Sequence, residues 1–127
     1  MILIVDDDEG MTQSCTMLLE AHGYDVQSAA SGPEALSMMK ESAHELLISD
    51  CEMPGMTGAE LSEQVRADPS TTHMPVLLMS ASRRCDVTNG ATYNAFLRKP
   101  FLAAALLAEV SKLVQKIAPL APLTAKV

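Results

Sequence analysis

The sequence predicts an α/β domain in which a five-stranded parallel sheet carries helices on both faces. Short aliphatic runs that read as buried strands alternate with segments of helical apolar periodicity, and Gly, Pro and capping residues stand at the junctions. Such alternation makes βαβ units, whose right-handed crossovers lay helices on the two sides of a parallel sheet. A length of 127 residues suits one domain. We expect it to occupy residues 1–118, with residues 119–127 forming a C-terminal tail or the start of a linker.

The first strand is Ile2 to Val5, a continuous aliphatic run ending in acid, as expected of a buried parallel strand that opens into a site. Met11, Cys15, Leu18, Leu19 and His22 then recur at helical spacing, and Gly23 supplies the C-terminal stop. The stretch from Asp25 to Ala29 alternates weakly and reads as an edge-like strand. Ser31-Gly32-Pro33-Glu34 opens the next helix, since proline is preorganised for a first turn, with Ala35, Leu36 and Met39 inward. Leu46 to Asp50 repeats the first strand's pattern, aliphatic and then acidic. A loop with Pro54, Gly55 and Gly58 leads into a helix with Leu61 and Val65 inward, stopped at Asp68-Pro69. Pro75 to Met79 is the fourth strand, ending at Ser80, and Ala95 to Arg98 is the fifth, ending at Lys99-Pro100. The last helix, Leu102 to Ile117, places Leu106, Val110, Leu113, Val114 and Ile117 on one face. Pro119 and Pro122 among small residues mark the tail.

Composition excludes several functions. A net charge of −7 with no cluster of Lys and Arg argues against direct nucleic-acid binding, because a phosphate backbone would be repelled. Asp6-Asp7-Asp8 cuts the first apolar run far short of a signal-peptide core or a membrane span, so a cytoplasmic protein with no membrane partner is expected. Cys15, Cys51 and Cys85 are odd in number and lack metal-ligand spacing, and buried, reduced thiols are the expectation for all three. With aromatics scarce, Leu, Val, Ala and nine Met must fill the interior.

The informative polar residues all fall at strand ends: Asp6 and Asp7 after the first, Asp50 on the third, Ser80 on the fourth and Lys99 after the fifth. In open parallel sheets the carboxyl ends of the strands are where ligands bind. Three converging carboxylates would repel one another unless a cation joined them, and oxygen-only ligands with room for water suit Mg²⁺. A carboxylate nucleophile, a metal, an ammonium and a hydroxyl together meet the needs of phosphoryl transfer, with an aspartyl phosphate as product.

The stretches Ile2 to Asp8, Leu47 to Gly58, Pro75 to Ala81 and Phe96 to Phe101 resemble, in order, those of the receiver domains of two-component response regulators, the CheY-like superfamily. The resemblance covers nearly the whole chain. It implies a three-layer, doubly wound, flavodoxin-like sheet of strand order 2-1-3-4-5. It also implies that Asp50 is the phosphoacceptor, that Asp6 and Asp7 hold Mg²⁺ with Asp50, and that Glu52 gives its backbone carbonyl to the metal. Ser80 matches the switch hydroxyl, Lys99 the lysine that pairs with the phosphoryl group, and Phe96 the aromatic switch position. Lys99-Pro100 would be a cis peptide. The implied partner is a histidine kinase or a histidine phosphotransfer protein, with an altered protein-interaction surface as output and no turnover beyond the domain's own phosphorylation and dephosphorylation. Glu52, by its charge, is expected to repel or orient attacking water and so to set the phosphate's lifetime.

The chain departs from the family between Ser80 and Lys99. Their separation of nineteen is a few residues short, residues 82–90 carry no helical apolar stripe, and Asn89-Gly90 is a turn signal. The helix between the fourth and fifth strands, fourth in the family's order, is therefore expected to be short or irregular. Thr92-Tyr93 stand where the family has Gly-Ala, and Thr57 replaces an acid. That irregular segment supports an alternative reading, a non-phosphorylated pseudo-receiver that only binds partners, which the intact Asp6, Asp7, Asp50, Ser80 and Lys99 oppose. Glu52, two residues after Asp50, has the spacing of a phosphatase general acid, but no substrate-binding cap accompanies it. Phe96 also has a plain reading as a core aromatic.

Overall fold

The computed structural model describes residues 1–81 and 92–117, with side chains described as far as residue 114. The strands are β1 (Ile2–Val5), β2 (Val26–Ala29), β3 (Leu46–Asp50), β4 (Val76–Ser80) and β5 (Ala95–Arg98), and the helices are α1 (Glu9–Ala21), α2 (Gly32–Glu41), α3 (Gly58–Ala67) and α4 (Ala103–Ile117). Every strand pair is parallel, and the order across the sheet is β2-β1-β3-β4-β5, as the resemblance implied. The expected short or irregular helix between β4 and β5 falls largely on residues 82–91, outside the described residues, as do Cys85 and the tail from residue 118.

Strand side chains alternate between two apolar layers. Leu3, Val5, Leu47, Val76 and Leu78 face one layer with Ala35 and Met39 of α2 and Leu61 and Val65 of α3. Ile2, Ile4, Leu46, Ile48, Leu77 and Met79 face the other, with Cys15 and Leu19 of α1 and Leu106, Val110 and Leu113 of α4. Every residue of β1, β3 and β4 is buried, which is why these segments are nearly free of polar residues until their last position. The edge strands β2 and β5 are only partly covered, and their mixed composition follows from that.

Helix ends follow local chemistry. Asp8 caps α1 by accepting from Met11 N, and the chain leaves through Gly23, whose φ of +91° suits a residue without Cβ. His22, grouped with the apolar positions of α1, is instead the exposed C-cap, its ring Nδ1 lying 3.0 Å from Leu18 O. Ser31 caps α2, and Pro33 stands at the second helical position rather than the first. Thr57 and Glu60 form a reciprocal capping box on α3. This accounts for Thr57 where the family often has an acid.

Arg66 near the end of α3 fastens the opposite pole of the sheet. Its Nη1 donates to Thr72 O and Met74 O at 3.2 and 2.7 Å, and its Nη2 to Asn94 Oδ1 at 2.8 Å. The same amide oxygen accepts from Val76 N at 2.8 Å, and Asn94 N donates to Val76 O at 2.8 Å. Burial pulls the guanidinium below its usual pKa range.

Candidate functional site

The carboxyl ends of β1, β3, β4 and the turn after β5 converge because β1, β3, β4 and β5 are neighbours in register. Asp6 is buried at the end of β1. Its amide is held by Ala29 O at 3.2 Å, and its Oδ1 accepts from Asp8 N at 2.9 Å, so the side chain also shapes the turn into α1. Asp7 is exposed beside it. Asp50 is 6% exposed and ends β3, fixed there by ladder contacts to β4 and by Cys51 N donating to Met79 O at 2.7 Å. Asp6, Asp7 and Asp50 each offer a carboxylate oxygen within 4.8 Å of the others.

Lys99 follows β5 through a backbone bond to Ser80 O at 2.8 Å and precedes the cis Lys99-Pro100 peptide. Its Nζ lies 3.0 Å from Asp6 Oδ2 and 3.2 Å from Asp50 Oδ1. Burial opposes the lysine's charge, but its hydrogen bonds and charge pairing with Asp6 and then Asp50 win, and its pKa is raised. Asp50 is also raised, first by burial and then by the charge of Asp6, with Lys99 working against both and Glu52 adding to them. One ammonium therefore does not neutralise the cluster. A further cation is what the donor set lacks, and three carboxylate oxygens at this spacing fit a small, hard, divalent ion.

Ser80 is fully buried at the end of β4, and its hydroxyl donates to Glu52 Oε1 at 3.0 Å. Phe96 stands apart. It is 39% exposed on β5, with its ring edge-to-face to Tyr93 at a centroid distance of 6.4 Å, so it is not the core aromatic of the plainer reading. A groove of about 210 Å³ beside the cluster is lined by Asp6, Asp7, Glu9, Thr12, Ser28 and Glu34.

A family model described as the response regulator receiver domain matches residues 2–111. The chain belongs to the response regulator receiver domain family. As a receiver domain it is 35% identical over 120 residues to the chemotaxis protein CheY-3 of Vibrio cholerae, with 91% of this chain and 92% of that protein covered. The signal receiver domain of a histidine kinase from Syntrophus aciditrophicus superposes with a TM-score of 0.85 at 28% identity, over 92% and 91% of the two chains. The response regulator TrrA of Thermotoga maritima, solved in complex with Mg(2+)-BeF, gives a TM-score of 0.80 at 29% identity, over 88% and 96%. This receiver domain is thus a signalling module of two-component type.

Sequence reasoning missed three things here. Glu34 reaches back to accept from Ala30 N at 2.8 Å, and a Glu three residues after a capping Ser was a usable signal. The Glu52 side chain on Ser80 had no signal, because it depends on a rotamer and on the loop after β3 meeting the end of β4. Cys51 is buried but disulfide-bonded, which corrects the expectation of a reduced thiol there. Cys15 is a free, buried thiol whose pKa is raised by burial and then by the charge of Asp6.

Among the described residues, no helix is long and apolar enough to cross a membrane.

Proposed function

We propose that Asp50 of this receiver domain accepts a phosphoryl group from a histidine kinase or a histidine phosphotransfer protein and thereby switches a protein-interaction surface. The observation that carries the reading is Lys99, whose ammonium joins Asp6 and Asp50 at 3.0 and 3.2 Å while Asp7 stays within metal-sharing distance. Mg²⁺ is the ion proposed for Asp6, Asp7, Asp50 and the Glu52 carbonyl, and when bound it would offset charge on the phosphoryl oxygens. An Asp50 oxygen forms the new P–O bond as the donor's P–N bond breaks, and the imidazole leaves with the electron pair and takes up a proton. Lys99 stays against the transferred group as a cation, and the Ser80 hydroxyl donates a hydrogen bond to one phosphoryl oxygen. Phe96 then follows Ser80 toward the sheet as the switch.

The domain acts as a cytoplasmic phosphoacceptor and assists only its own phosphorylation and dephosphorylation. The charge of Glu52 sets the lifetime of the aspartyl phosphate, so label on the Glu52→Gln variant decays at a rate different from the parent's. An unchanged rate removes that role. Acetyl phosphate with Mg²⁺ labels the parent and fails to label Asp50→Asn or metal-depleted protein. Absence of label on the parent overturns the reading in favour of a non-phosphorylated interaction module, which the joint presence of Asp6, Asp7, Asp50, Ser80 and Lys99 opposes.

A further inference from the structure

We infer that the Glu52 side chain is an off-state latch on Ser80, a positioning residue that occupies the hydroxyl's proton until a phosphoryl group displaces it. This rests on the phosphoacceptor reading of Asp50. The Ser80 hydroxyl donates to Glu52 Oε1 at 3.0 Å from a fully buried position. A hydroxyl carries one proton, whereas an ammonium carries three. Lys99 can therefore keep Asp6 and Asp50 and still donate to an incoming oxygen, while Ser80 must leave Glu52 before it can do so. Loading of Asp50 is thereby coupled to breaking one particular side-chain bond.

The latch is built to open. Glu52 is exposed and regains water when released, so the bond is charge-assisted but not a deeply buried pair whose rupture would strand a charge. The carboxylate also adds negative charge beside Asp50, and it is among the causes that raise the Asp50 carboxyl. Removing Glu52 thus has two effects, loss of an acceptor and loss of a charge, and they separate by substitution. The Glu52→Gln variant keeps an oxygen that accepts from Ser80 without the charge, and the Glu52→Ala variant keeps neither.

Beryllofluoride with Mg²⁺ is the probe, titrated calorimetrically into the full chain. Glu52→Ala is expected to bind about three- to tenfold more tightly than the parent, the range of one modest hydrogen bond. Glu52→Gln lies closer to the parent, and the gain from Glu52→Ala shrinks when Ser80 is already replaced by alanine. In metal-free protein, the Ser80 amide and Cβ resonances move in Glu52→Ala and stay near parent positions in Glu52→Gln. Equal gains in Glu52→Ala and Glu52→Gln, undiminished in the Ser80→Ala background and with unmoved Ser80 resonances, reduce Glu52 to a repelling charge and overturn the latch. Binding by the parent with unchanged affinity in Glu52→Ala overturns the latch alone. A parent that does not bind the probe overturns the phosphoacceptor reading, and the latch with it.

Discussion

Asp50 is held where its own charge is unwelcome. Its pKa is raised above the ordinary 3.8 by burial and by Asp6, so folding favours the protonated carboxyl. The contribution is favourable below the ordinary value and is lost as pH rises through the raised one. At neutral pH without divalent metal, Asp50→Asn is therefore more stable than the parent, by about 3–6 °C in Tm for a change of ~1 kcal/mol. The gap closes as pH falls toward about 4, the ordinary carboxyl range, and reverses when Mg²⁺ stabilises only the parent. Calorimetric melts across pH, with and without Mg²⁺, test this, and a variant less stable than the parent in every condition contradicts it. Lys99 has the same sign for a different reason. Its carboxylate partners raise its pKa, so its stabilising contribution is whole below the lysine's ordinary value of 10.5 and fades as pH rises through the raised one.

Elements bring these side chains together through close backbone contacts, and α3 shows it best. Gly58 begins that helix with its amide on Cys51 O at 2.8 Å, and a Cβ there would collide with Asp50 O and come within 2.8 Å of Cys51 Cα. Backbone cannot yield as a flexible side chain can. Gly58→Ala is expected to lose about 2–3 kcal/mol in urea unfolding and to weaken Mg²⁺ binding by displacing Asp50. Thr57→Ala, which removes only a cap, should cost ~1 kcal/mol and leave Mg²⁺ affinity near the parent's. Equal effects of the two substitutions on metal affinity would show that the glycine's close approach does not position Asp50. Most elements were legible because β1, β3 and β4 are buried on both faces and so had to be written as unbroken aliphatic runs. Asp6, Asp7, Asp50 and Lys99 were legible as a set because strand ends of a parallel sheet share one edge. What stayed hidden depends on long-range meetings: Glu52 on Ser80, Arg66 on Asn94, and the bonded state of Cys51.

At the scale of the whole molecule, two apolar layers enclose a sheet whose one edge is acidic and whose overall charge is negative. We propose that residues 1–118 form the receiver domain and that residues 119–127 add nothing to its stability. A chain ending at Ala118 is expected to melt within about 1 °C of the parent and to keep its response to Mg²⁺, since a segment rich in Pro and small residues supplies little core. A larger drop in Tm would place the boundary further along. The Arg66 and Asn94 contacts bear on how such a molecule can change shape. They nail the start of β5 to β4 and to the loop that precedes β4, at the pole remote from the carboxylates. A strand fixed at that end is tethered at the other through Lys99 and its bonds to Asp6 and Asp50. Loss of the Lys99 bonds alone would leave β5 anchored at its start through Asn94.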